Sequence, residues 1–157
     1  MLRLTTVSAA AHRVLAGVCV LLLAGGPLAG RLEGSPPPEA ARKVYTTLPK
    51  PGQKVALDSD TYFIYGFTKQ PKLGMAVMRV EVFRKGGQRD TSYTVKGDLD
   101  MPSMRGAHSS GDRPFACSKQ GVYLLPVSLV MPGDWELRFT FEKKGFAGFH
   151  GAYLFDL

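Results

Sequence analysis

Two thioethers and one imidazole stand within eight positions of this chain, in Met101-Pro102-Ser103-Met104-Arg105-Gly106-Ala107-His108. Thioether sulfur is a soft ligand and imidazole a borderline one. Met101, Met104 and His108 together therefore suit Cu(I) and suit Mg or Ca poorly. Pro102 and Gly106 keep the stretch out of a regular helix or strand. The same residue types also have a structural use: methionine fills irregular gaps in cores, and a Met-Pro turn at a strand end can plug one. Cys117 and His150 are further donors that a fold could bring to the set.

Little else in the chain can do chemistry. There is no nucleophile elbow, no His-Glu-x-x-His, no phosphate loop and no cysteine pair, so an enzyme is not expected. His12 belongs to the N-terminal segment. His150 sits in Gly148-Phe149-His150-Gly151 and reads as a solvated, glycine-flanked turn residue. Asp98 and Asp100 are two apart on a strand-like segment, so they share a face and read as surface charge at a loop entrance. Cys117 reads first as a buried small apolar residue. A third soft ligand, or a link to another chain, are its alternatives.

The N-terminus decides where these donors meet a metal. Arg3 and Arg13 precede an apolar run from Val14 to Leu23 that continues through Ala24-Gly25-Gly26-Pro27-Leu28-Ala29-Gly30 and ends in small residues. A basic start, a short apolar core and a small-residue end describe a secretory signal. Residues 1–30 are expected to be a signal peptide and the remainder periplasmic, without stable membrane insertion once the signal is removed. An uncleaved anchor in the inner membrane is the alternative. The formal charge of +7 falls to +5 without Arg3 and Arg13, and the remaining basic residues are scattered. No basic stripe with interleaved aromatics exists, so nucleic acid is not an expected partner.

Residues 31–51 read as a linker, with Ser35-Pro36-Pro37-Pro38 favouring extended polyproline geometry. The expected domain is 52–157. Lys54 to Leu57 and Tyr62 to Phe67 are strand candidates, the second rich in aromatic and β-branched residues. From Ala76 to Arg84, Met78, Val80 and Val82 alternate with Arg79 and Glu81. Lys85-Gly86-Gly87-Gln88 then turns the chain into Thr91 to Val95, which predicts a hairpin. Gly97 to Ser118 reads as a long polar loop carrying the Met-Met-His cluster. Gly121 to Val130 returns to strand character, with Pro126 marking an edge or bulge. After the turn at Met131-Pro132-Gly133-Asp134, Trp135, Leu137, Phe139 and Phe141 alternate with Glu136, Arg138, Thr140 and Glu142, a strand with one buried face. Ala152 to Leu157 forms a last strand. No helical period is sustained, so about seven short strands predict one all-β, antiparallel β-sandwich.

Gly121-Val122-Tyr123 followed by Met131-Pro132-Gly133-Asp134-Trp135-Glu136-Leu137-Arg138 resembles the closing half of YtkA-like/FixH-like domains. Met101-Pro102-Ser103-Met104 and His108 look like the Met-Pro-x-Met and downstream His found in many of them. The resemblance spans roughly Thr61 to Glu142. It implies a small immunoglobulin-like sandwich. It also implies a role in copper handling or copper-oxidase assembly, with a membrane transporter or a copper oxidase as partner. An envelope protein–protein interaction module without metal is the alternative. Trp135 has a role that needs no ligand: it fills the sandwich while its indole N–H reaches a carbonyl.

Overall fold

The computed structural model describes residues 43–157; the expected signal peptide and most of the expected linker lie outside the described residues. Ten strands run in chain order. They are β1 (Thr46–Thr47), β2 (Val55–Ala56), β3 (Thr61–Phe67), β4 (Gly74–Arg84), β5 (Thr94–Asp100), β6 (Arg113–Pro114), β7 (Ala116–Cys117), β8 (Tyr123–Leu129), β9 (Asp134–Glu142) and β10 (Phe149–Asp156). One 3-10 turn, Pro102–Met104, follows β5. The strands form two five-stranded sheets, ordered β1-β10-β9-β5-β6 and β2-β3-β4-β8-β7. The molecule is the predicted all-β sandwich. Six of its strands are long, four have only two residues, and β1 pairs with β10 in parallel.

Alternation builds the core. Met78, Val80 and Val82 of β4 point inward, while Arg79 and Glu81 point out. Trp135, Leu137, Phe139 and Phe141 of β9 are all buried, and Phe139 and Phe141 pack on Phe63 and Tyr65 of β3, with the Phe63 and Phe141 rings 4.5 Å apart. A run of large apolar side chains at period 2 needs a second layer over that face, and here the second sheet supplies it.

Four sequence expectations need correction. The hairpin across Lys85–Gln88 does not form: β4 and β5 belong to different sheets, joined near the turn only by a bridge between Phe83 and Arg89. Asp90 holds that crossover. It accepts hydrogen bonds from Arg84 Nε (3.1 Å) and Lys143 Nζ (3.2 Å) and from the Ser92 N–H (3.0 Å). Burial pushes its carboxyl up, but Ser92, Lys143 and Arg84 outweigh it and hold the group well below the usual carboxylate range. The sandwich also begins before residue 52, since Thr46–Thr47 pair with Gly151–Ala152 and Leu48 enters the core. β5 extends to Asp100, into the stretch expected to be loop. Finally, β10 starts at Phe149, so His150 is a strand residue and not a turn residue. No helix among the described residues is long and apolar enough to cross a membrane.

Candidate functional site

The Met-Pro-x-Met segment continues the alternation of β5. Leu99 and Met101 point into the core, while Asp98 and Asp100 lie on the outer face beside Arg138 and Glu136. Met101 is 2% exposed. The chain then tightens through two successive turns, with Met104 N–H donating to Met101 O (3.0 Å) and Ala107 N–H to Met104 O (3.0 Å). Met104 emerges on the outside, 37% exposed.

This loop is fastened to the start of β9. The Ser103 N–H and hydroxyl donate to the two carboxylate oxygens of Asp134, at 2.9 and 2.5 Å. Arg105 donates to Glu136, which also accepts from Arg138 Nε at 2.8 Å. The hydrogen bonds from Ser103 hold the Asp134 carboxyl below its ordinary range. Burial pushes Glu136 up, but the Arg105 hydrogen bond and the Arg138 charge prevail and hold it down. Under the loop, the Met101 methyl lies 3.1 Å from where a Cβ on Gly133 would stand, and Gly133 has φ 134°. Only glycine meets both demands. The two segments that carry the family resemblance are therefore packed on each other, one stitched along the other. Asp100 belongs to the same structure. Its carboxylate accepts from the N–H groups of Met101 (2.9 Å) and Gly106 (3.1 Å), so it is a buried loop clamp rather than surface charge.

Of the expected donors, His150 stands away from the loop. Met101 is buried in the core and Met104 is partly exposed at the surface. His150 stands opposite Thr140, whereas Asp100 stands opposite Glu136, four residues along β9. At about 3.3 Å per residue this is roughly 13 Å. His150 instead faces Thr140 Oγ1 through Nδ1 at 3.2 Å and packs against Tyr45. Cys117 is exposed on β7, at the edge of the other sheet, which corrects the expectation that it is buried. Among the described residues no group of three or more His, Cys, Asp and Glu is placed to hold a metal.

His108 has a different setting. It stands half-buried with its ring 6.2 Å from that of Trp135, at a cavity of about 160 Å³ between β5 and β8. Leu99, Leu125, Val127 and Trp135 give this cavity apolar walls, and Arg113 is its one charged wall residue. The Trp135 indole N–H is already engaged with Met131 O at 3.1 Å, so the ring offers only its apolar surface. Arg113 and Ser110 were not singled out from the sequence. They lie in a Gly/Ser-rich stretch whose only signal was its length, and the cavity assembles from three distant segments.

Fold and site together define a small β-sandwich with a cavity at its side between β5 and β8, a class rather than a particular activity. No family model matches the chain, and no curated protein matches it. Among solved structures it is similar to the crystal structure of a DUF4426 family protein from Pseudomonas aeruginosa PAO1. That similarity has a TM-score of 0.48 and 13% sequence identity, over 67% of this chain and 96% of the other.

Proposed function

We propose that the chain is an exported, non-enzymatic interaction module of the cell envelope, engaging its partner on the side of the sandwich between β5 and β8. The observation that carries this reading is the open edge of β8. β7 pairs with it only at Tyr123 and Leu124. From Pro126 to Val130 no strand of the described residues covers that edge, and the cavity lies directly beside it. Open edges accept strands from other chains. The basic-apolar-small pattern from Met1 to Gly30 supports export to the periplasm. A photo-crosslinking residue at Ser128, in the full chain in its own host, is expected to trap a defined partner. The same residue at Lys85, at the far end of β4, is expected to trap none. Equal products at both positions, or none at Ser128, would overturn the reading.

A second reading is Cu(I) handling, which the resemblance to YtkA-like/FixH-like domains supports. One observation favours it: Met104 and His108, a thioether and an imidazole in one loop, are both at least partly accessible. Those two residues fit a soft ion, and Met101 is a core residue. Copper titration under reducing conditions tests this. Met104→Leu/His108→Ala is expected to weaken binding at least tenfold, and Met101→Leu to leave it unchanged. A folded double variant with parental affinity would sink the reading.

A further inference from the structure

We infer that the β8 edge and its cavity take the C-terminal end of a partner protein: an extended segment with an apolar side chain near its end and a free terminal carboxylate. This rests on the interaction reading above and specifies what the module recognises.

The backbone of β8 fixes which groups are on offer. The Ser118 N–H donates to Val122 O, so even-numbered residues of this hairpin arm aim their N–H and C=O at the β7 side. Pro126 therefore places its missing N–H on that side and loses nothing to β4, which explains a proline inside a paired strand. Beyond it, the Ser128 N–H and C=O and the Pro126 C=O lie on the open edge. A strand added there aligns its inward side chains with Leu125, Val127 and Leu129, and so points them at the cavity wall made by Leu99 and Trp135.

Two observations select a chain end rather than an internal segment. β7 already occupies the edge at Leu124, so an added strand meets it end-on at Leu125 and must stop or turn outward. Arg113 marks that end. It pairs across the sheet with Gly97, and a Cβ on Gly97 would stand 2.6 Å from Leu125 Cδ2. A strand running antiparallel to β8 therefore finishes beside Arg113. This guanidinium has no carboxylate partner among the described residues; neighbouring Asp112 pairs with Lys43 at 2.9 Å. No acidic side chain lines the cavity. An Arg beside an apolar pocket matches a terminal carboxylate next to an apolar side chain. Leu157 is not the occupant. Leu157 is bonded to Gly133 through its N–H (3.1 Å) and its C=O (3.2 Å).

The test uses a library of random heptapeptides with free C-termini, beside the same library as C-terminal amides, against the full chain. The acid library is expected to enrich peptides with an apolar residue in the last three positions, and their amides to bind at least tenfold more weakly. Arg113→Gln should bring the acids down to the level of the amides. Ser128→Pro removes the edge donor and should abolish binding of both. If Ser128→Pro shifts the thermal midpoint, Arg113→Gln, a surface change, carries the test alone. No enrichment, equal binding of acids and amides, or unchanged binding by folded Ser128→Pro would each overturn the inference. A position-specific crosslink at Ser128 without acid preference would remove the carboxylate and leave the interaction reading standing. A dimer in sedimentation that Ser128→Pro dissociates would assign the edge to a second copy, and would overturn the C-terminal occupant.

Discussion

Trp135→Ala is expected to lower the stability of the domain by about 3–5 kcal/mol, the usual range for deleting a buried large aromatic. Trp135 is 1% exposed and follows the Met131–Asp134 turn. Its removal deletes apolar contacts, opens space continuous with the cavity between β5 and β8, and leaves the Met131 carbonyl without its indole donor. For a domain of this size the thermal midpoint should fall by roughly 10–20 °C. Trp135→Phe separates the contributions. It keeps an aromatic ring and loses the N–H, so its effect should be about 1–2 kcal/mol, a hydrogen bond plus a small void. Urea denaturation followed by far-UV circular dichroism measures both. A midpoint unchanged in Trp135→Ala would mean that the ring is dispensable to the core, and would reopen it as a contact residue.

The strand that carries Trp135 was legible because four large apolar residues at period 2 follow a turn that needs glycine. The misread hairpin shows the limit of that logic. Alternation in β4 and β5 reports a buried face on each, but both sheets of a sandwich bury a face, so the pattern does not say which sheet a strand joins. β5 was cut short because Gly97 sits where an inward side chain belongs. Leu125 and Phe115 occupy that space, and a Cβ would come within 2.6 and 2.9 Å of them. Past that gap the alternation resumes in Leu99 and Met101, inward, and Asp98 and Asp100, outward. This places Met101 in the core. Spacing of donor types carried no such information, since it is blind to which face each donor leaves by. The cavity was not legible at all. His108, Arg113 and Trp135 meet there only after the two sheets have packed, and Arg113 lies on a two-residue strand too short to leave a pattern.

The parity of β5 gives the second large expectation. Met101→Ala should destabilise the domain by about 2–5 kcal/mol, because it empties a core position that is 2% exposed and withdraws the methyl packed over Gly133. Met101→Leu keeps volume and apolarity and should stay below about 1.5 kcal/mol. Met104→Ala, on the exposed side of the same loop, should fall within about 0.5 kcal/mol of the parent. The contrast matters because the two methionines share a motif and are chemically equivalent; only the direction in which the backbone sends them differs. Urea midpoints of the three variants decide it. If Met104→Ala were the costly change and Met101→Ala the neutral one, the strand parity would be inverted, and Met101 would return as an accessible thioether beside His108. If the order holds, the first methionine of the Met-Pro-x-Met motif is part of the sandwich core. Any soft-metal chemistry of the loop is then left to Met104 and His108.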